Sequence, residues 1–435
     1  MALQKETLQV AMNGSGVIGR RQFLQTIGLG TAGLAVSAAI PITFTDWMAV
    51  HAADLRKRQM ACILLWMAGG PSQLETFDPK PGTEHGGETK TIATVVPGIS
   101  IAEAWNHTAK GMKDIALVRS MTNKEGNHQR ATYQLHTGYV PSATIKHPHL
   151  ACSVVSEMGE SKFDLPHIVS VGGPTIGAGF LGSALEPFVV QNPSMLPENT
   201  RPKVATDRLR RRLTLLDRLE GAGFERTGGA DRVRDHRALY HQTTKMILSP
   251  HMRAFNLDEE PEPLREAYGK TPFGQGCLLA RRLVQAGVTF IEVRSNGWDT
   301  HLQNHERVGK LANDVDPGFA TLITDLKHRG MLEQTLVVWM GEFGRTPKIN
   351  PNAGRDHFPK VFNVALAGGG VKGGQVIGAS NADGTDVKDH PVGVPDLLTS
   401  LCHALKVDPA KEMMSPIGRP IKIVDGGKIV QGLFS

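Results

Sequence analysis

Residues 335–374 read TLVVWMGEFGRTPKINPNAGRDHFPKVFNVALAGGGVKGG. The apolar, β-branched run Leu336 to Met340 stops abruptly at Gly341-Glu342-Phe343-Gly344-Arg345. That pattern predicts a buried strand whose carboxyl end presents a carboxylate and a guanidinium. A Gly/Asn/Pro-rich loop follows, then Arg355-Asp356-His357, then a second apolar strand from Val361 to Ala367. Ionisable groups gathered just beyond the ends of buried strands mark the place where open α/β sheets hold ligands.

Working outward, the same alternation recurs. Ala61 to Met67 predicts a first strand, closed by the tight turn Ala68-Gly69-Gly70-Pro71-Ser72. Asp114 to Arg119 and His167 to Val171 predict two more, with a helix from Asn127 to His136 between them. Cys277 to Ala286 reads as a helix feeding the strand Val288 to Val293. A long helix is expected from Asn304 to His328, broken or kinked at Pro317-Gly318. Pro395 to Leu405 reads as a last helix, with Asp396 near its positive end. Strands alternating with helices predict an α/β fold whose mostly parallel sheet is covered by helices on both faces. From about residue 180 to 262 polar, Arg-rich helical segments replace the alternation, which predicts a helical insertion. No internal repeat is visible.

Residues 1–52 read as a Tat-type signal segment. Arg20-Arg21-Gln22-Phe23-Leu24 precedes an uncharged Gly/Ala-rich stretch, Gln25 to Thr45. Gly28, Gly30, Gly33, Ser37 and Pro41 make that stretch a poor spanning helix, which needs ~20 strongly apolar residues. Cleavage is expected near Val50-His51-Ala52. The expectation is a single domain over 53–435, exported folded by the Tat machinery to the periplasm or beyond, with no stable membrane span. The formal charge is +6 with histidines neutral. Removing the leader, with Lys5, Arg20 and Arg21 against Glu6 and Asp46, changes it little. The cluster Arg208, Arg210, Arg211 and Arg212 alternates with Leu209, Leu213, Leu216 and Leu219 at helical spacing. It reads as a solvated helix face, without the aromatic interleaving of a nucleic-acid binder. The four cysteines, Cys62, Cys152, Cys277 and Cys402, form no CxxC and read as buried free thiols.

Several groups are placed to carry chemistry. Asn296-Gly297-Trp298-Asp299-Thr300-His301, with His305 four residues on, follows directly on a predicted strand. Asp and His at this density resemble ligands for a divalent ion; the alternative is a capped helix start with exposed histidines. Glu342 suits a metal ligand or a general base, and Arg345 an anion clamp; alternatively the two pair with each other and tie down the loop. Gly126-Asn127-His128-Gln129-Arg130 opens a helix whose amino terminus favours anions, strengthened by Arg130. There His128 suits a ligand, a nucleophile or a general acid, and a plain Asn127 cap is the competing explanation. His357 sits where two strands converge.

The stretches LLWMAGGPSQLETFDPKPG, GNHQRATYQLHTG, GWDTHLQNH and GEFGRTPKINPNAGRDHFPKVFNVALAGGGVKGG resemble the hallmark segments of the exported bacterial domain-of-unknown-function 1501 family. The resemblance covers nearly all of the chain after the leader. It implies an alkaline-phosphatase-like core of the phosphatase and sulfatase superfamily. Leu135-His136-Thr137-Gly138 is similar to the close of the sulfatase nucleophile helix. Gly341 to Gly344 sits where the superfamily has a metal-binding Asp-His-Gly. His357 sits at another ligand histidine, and Pro391 to Leu398 resembles the shared start of the carboxyl-terminal helix. The chain departs from that pattern at three places. Ala68-Gly69-Gly70 replaces a metal-binding aspartate, Phe343 replaces a ligand histidine, and His128 stands at the nucleophile's place. What survives is one divalent ion held by Asp299, His301 or His305, Glu342 and His357. His128 and Glu342 would be the catalytic groups. Arg130 and Arg345 would bind the anion, and Ser72 would be a replacement nucleophile. The implied function is an exported hydrolase-like protein acting on a phosphate or sulfate ester, small or on a polysaccharide. The alternative is a non-catalytic binding or scaffolding protein on a degenerate version of the fold.

Overall fold

A computed structural model describes residues 60–158, 163–198, 200, 204–223 and 230–434; the expected signal segment lies outside the described residues. The centre of the molecule is a nine-stranded sheet. Its strands are β1 (Ala61–Ala68), β2 (Ile115–Thr122), β3 (Ile168–Val171), β4 (Phe188–Val190), β5 (Phe290–Asn296), β6 (Thr335–Met340), β7 (Phe362–Ala367), β8 (Gln375–Ile377) and β9 (Val392–Gly393). Their order is β8-β2-β7-β6-β1-β5-β3-β4, with β9 also pairing β2. Only β7 runs antiparallel to its neighbours, β2 and β6. Every other pair in this sheet is parallel.

β1 lies between β5 and β6, with Leu64 opposite Glu292 on one side and Val338 on the other. Flanked and covered, it is buried along nearly its whole length, which is why it reads as an unbroken apolar run and not as an alternating one. One face takes Cys62, Leu64 and Trp66. These pack with Leu135 of α1 (His128–Thr137), Leu150 of α2 (Leu150–Met158) and Leu397 and Leu401. The opposite face is covered by a helix carrying Gly276. A Cβ there would lie 2.7 Å from Val293 Cγ1, so glycine is what lets the helix backbone settle on β5. The expected two-faced cover is therefore present. The four cysteines are buried and free.

The segment expected to be helical from about 180 to 262 begins with an edge strand. β4 pairs β3 before the helices α3 (Thr206–Gly223) and α4 (Ala230–Leu248). The helix on the second face is α5 (Pro272–Ala286). The expected break at Pro317 does not occur: α6 runs unbroken from Asn304 to His328. Proline removes one backbone bond, but Val315, Phe319, Leu322 and Ile323 are buried around it. Buried Asp316 also accepts from His107 N at 2.6 Å and Thr108 N at 2.8 Å. Tertiary packing outweighs the local defect. The last helix, α7, spans Val394–Ala404.

Because β1, β2, β5 and β6 run in one direction, their carboxyl ends share one edge. The turn after β1, the approach to α1, the loop from Gly297 to Gln303 and the segment after β6 all emerge there.

Candidate metal centre

At this edge four ring or carboxylate atoms point at one another. Asp299 Oδ1 lies 3.3 Å from His128 Nε2, 3.1 Å from His301 Nε2 and 3.4 Å from His357 Nε2. His301 Nε2 and His357 Nε2 are 3.0 Å apart.

Each imidazole is fixed through its other nitrogen. His128 Nδ1 meets Glu342 Oε1 at 2.7 Å, His301 Nδ1 meets Asp356 Oδ1 at 2.8 Å, and His357 Nδ1 meets the Gly126 carbonyl at 2.8 Å. An oxygen without a proton can only accept, so each Nδ1 carries the hydrogen and each ring turns its Nε2 inward. Three ring nitrogens and a carboxylate oxygen thus face a common point. The buried Nε2 of His128 has no hydrogen-bond partner.

The backbone explains the convergence. His128 is the first residue of α1, placed by the Asn127 side chain, which accepts from Arg130 N at 3.2 Å. Asp299 and His301 follow β5. Glu342 and Arg345 follow β6, and His357 arrives through a two-residue antiparallel pairing, His357 opposite Arg345. Two glycines permit the close approach. Gly69, with φ +120°, would place a Cβ 2.3 Å from Asp299 N, and Gly354 would place one 1.8 Å from the His301 carbonyl oxygen. An aspartate at Gly69 or Gly70 has no room. In its stead Gly69 N donates to Glu342 Oε1 at 2.9 Å.

Electrostatics follow the contacts. Burial alone would raise the Asp299 carboxyl, but the Arg345 hydrogen bond and the nearby charges bring it down to about 2. Arg345 Nη2 lies 2.6 Å from Asp299 Oδ1. The Glu342 hydrogen bond raises the His128 ring above its ordinary value, and burial lowers that of His357. Phe343, wholly buried, packs its ring 4.9 Å from His128 and 4.8 Å from His357 and closes the pocket floor.

The sequence-predicted residues divide. His128, Asp299, His301, Glu342 and His357 meet. His305 does not turn to this point; its Nδ1 lies 3.1 Å from Thr89 Oγ1. Glu342 points at His128 through an oxygen already shared with Gly69 N, so its geometry suits an orienting partner better than a ligand. Arg345 is fully buried. Its guanidinium donates to the carbonyls of Gly69, Gly70 and Arg355 as well as to Asp299. It therefore holds Asp299 and is not offered to a substrate, and the ion pair it makes is with Asp299, not with Glu342 as the alternative had it. Ser72 is fully buried, out of reach of a dissolved ester. Arg130 is half exposed and chelates Glu125 at 2.8 and 2.7 Å. The sequence reading missed Gln73 and Asn350. Gln73 takes Arg345 N at 2.9 Å and donates to Arg345 O at 2.8 Å. Asn350 donates to His301 O at 3.1 Å and to Asp356 Oδ1 at 3.2 Å. Neither belongs to a charge or spacing pattern. The one signal for Asn350 is its place in an Asn/Pro/Gly loop, where side-chain-to-backbone bonds are common.

The sequence profile described as "Protein of unknown function (DUF1501)" matches residues 59–434. No curated protein matches in sequence. Solved structures similar to the chain include Ps i-CgsB in complex with k-i-k-neocarrahexaose, at 11% identity over 81% of this chain and 73% of that chain, TM-score 0.40. They also include the PsFucS1 sulfatase from Pseudoalteromonas sp., at 13% identity over 82% and 69%, TM-score 0.38. A third is an alkaline phosphatase superfamily protein from Vibrio parahaemolyticus, at 11% identity over 80% and 67%, TM-score 0.34.

Proposed function

We propose, for a chain that belongs to the DUF1501 family of proteins of unknown function, metal-dependent hydrolysis of phosphate or sulfate esters in the pocket around Asp299. The observation that carries this is the set of converging ligand atoms: two imidazole Nε2 atoms 3.0 Å apart, beside the Asp299 carboxylate at 3.1 and 3.4 Å. Two imidazoles and a carboxylate at these spacings fit a divalent ion. Asp299, His301 and His357 would hold it. Asp356 and the Gly126 carbonyl orient the two rings, as outer partners of ligating histidines do. A divalent ion there supplies a Lewis acid for the ester oxygen.

The remaining groups act on the substrate and on water. His128 Nε2 takes the proton of the attacking water, with Glu342 fixing the ring through Nδ1–H in the manner of a base and its orienter. Arg130 meets the anionic ester at the rim. Its exchange from Glu125 costs little, because solvent screens an exposed ion pair. The twin-arginine segment supports export of the folded, loaded protein to the periplasm or beyond. Among the described residues no helix is long and apolar enough to cross a membrane.

The test is turnover of aryl phosphates and aryl sulfates by the full chain with divalent ions added. Hydrolysis that His128→Ala abolishes supports the reading. A loaded protein that binds sulfated or phosphorylated oligosaccharides but turns over none replaces it with the binding-protein reading.

A further inference from the structure

We infer that the pocket selects a borderline first-row transition ion of the Zn²⁺ and Co²⁺ kind and rejects Ca²⁺ and Mg²⁺. The inference rests on the reading of this pocket as a metal site, and not on any reaction carried out there. Its argument is the donor chemistry. Of the four protein atoms that converge, three are imidazole nitrogens and one is a carboxylate oxygen. Ca²⁺ takes six to eight oxygens and Mg²⁺ a near-ideal octahedron of oxygens, whereas imidazole suits Zn²⁺, Cu²⁺, Fe²⁺ and Ni²⁺.

Spacing agrees with chemistry. A tetrahedral ion with bonds of 2.0–2.1 Å has donor–donor edges of ~3.3 Å. The Asp299–His301, Asp299–His357 and His301–His357 edges are 3.1, 3.4 and 3.0 Å. The three atoms form one face of a small polyhedron. The carbonyls of Gly69, Gly70 and Arg355 turn to the Arg345 guanidinium. The Asp299 and His301 side chains remain 47% and 40% exposed, so the opposite side is open to exchange. His128 stands beside this face, 3.3 Å from Asp299 Oδ1, with its Nδ1 committed to Glu342.

The experiment uses the full chain, stripped with a chelator and dialysed separately against Zn²⁺, Co²⁺, Ca²⁺ and Mg²⁺. Expected are one Zn²⁺ or Co²⁺ per chain by elemental analysis, a raised thermal midpoint, and intense visible absorption from Co²⁺ in a low-coordinate, nitrogen-bearing set. Ca²⁺ and Mg²⁺ in large excess should leave the midpoint unmoved. Loss of an outer partner typically costs ~10–100-fold in affinity, so His301→Ala and His357→Ala should each lose more than that. His305→Ala should keep full stoichiometry. Equal stabilisation by Ca²⁺ or Mg²⁺, or Zn²⁺ content untouched in both His301→Ala and His357→Ala, overturns the inference. Should those variants misfold, the unaltered chain still decides: a faint six-coordinate Co²⁺ spectrum overturns it. A Zn²⁺-loaded chain that hydrolyses nothing sinks the esterase reading and leaves the ion assignment standing.

Discussion

Among the described residues two clusters of histidines surround a carboxylate, and they are built in different ways. One is the edge site around Asp299. The other lies inside the layer between α1, α2 and β5, where His136, His149 and Glu292 are fully buried. Glu292 Oε2 lies 3.3 Å from His136 Nε2 and 3.4 Å from His149 Nε2, separations close to those at the edge site. The His149 tautomer separates them. His149 Nδ1 accepts from Ala151 N at 2.8 Å, so its Nε2 carries the hydrogen and donates toward Glu292. Glu292 further accepts from Thr175 Oγ1 at 2.5 Å and from Arg294 Nη1 at 2.8 Å. His136 is held otherwise: its Nδ1 donates to the Thr132 carbonyl at 2.7 Å, so its Nε2 faces Glu292 as the edge rings face Asp299. Distances alone would rank the two clusters as equal candidates. The donors already spent on Glu292, from Thr175, Arg294 and His149, tell a bolt from a binding site.

The largest expected effect breaks the bolt. Glu292→Ala leaves Arg294 and His149 without their carboxylate inside the core, and removing one partner of a buried pair costs about 3–5 kcal/mol. Urea unfolding should show that loss, together with loosening of α1 against β5. The corresponding change at the edge, His128→Ala, removes a half-buried ring and should lower urea stability less than Glu292→Ala does. If the esterase reading holds, it should lower kcat about 10²–10⁴-fold, the usual contribution of a general base. Equal stability losses in the two variants would erase the distinction between the clusters.

Next in size is the backbone contact on which the edge site depends. Gly69→Ala forces a side chain into φ +120° and against Asp299 N. Strain of this type costs about 1–3 kcal/mol, and it should displace the Asp299 loop. The expected readout is weaker Zn²⁺ binding alongside the stability loss. Unchanged Zn²⁺ affinity would mean that the turn after β1 does not set the donor geometry.

Much of this was legible in the chain and some was not. β1 and β6 announced themselves as apolar runs because they are covered on both faces, and the charged residues after β5 and β6 marked the edge where the ligand site lies. Short strands escaped notice. β4, β8 and β9 have two or three residues each and gain their place from neighbours, not from a pattern. Pro317 misled for the same reason in reverse, since packing carries α6 through it. In the site, residue type identified His128, Asp299, His301 and His357, but not their division of labour. Spacing suggested that His305 would share a face with His301, while the loop before α6 turns His305 to Thr89. Whether Arg345 reached solvent depended on three carbonyls supplied by distant turns, which no local window contains. The buried triad was the least visible feature. His136 had registered only as part of a turn motif, because its partners lie 13 and 156 residues away along the chain, at His149 and Glu292.

The smallest effect is the dependence of stability on pH, and its sign differs between the clusters. Burial lowers the pKa of His149 below its ordinary 6.5. Its neutral form is the folded one, so its contribution is complete above 6.5 and is lost as pH falls through the lower folded value. For Glu292 burial acts upward, but His136 and His149 bring it well below 4.5. Its share is therefore present above 4.5 and lost only in stronger acid. His128 in the metal-free protein goes the other way. Glu342 raises it, so its share is present below 6.5 and is lost as pH rises. Urea midpoints of the metal-free chain from about pH 8 to about pH 5, the range in which histidines titrate, should thus combine two opposed slopes. His149→Asn retains an oxygen to cap Ala151 N, as asparagine does at helix starts, and should remove the acid-side loss. Glu342→Gln should remove the alkaline-side loss and leave the acid side alone. If either substitution flattens both limbs, the two clusters titrate as one unit and their separation into bolt and binding site is wrong.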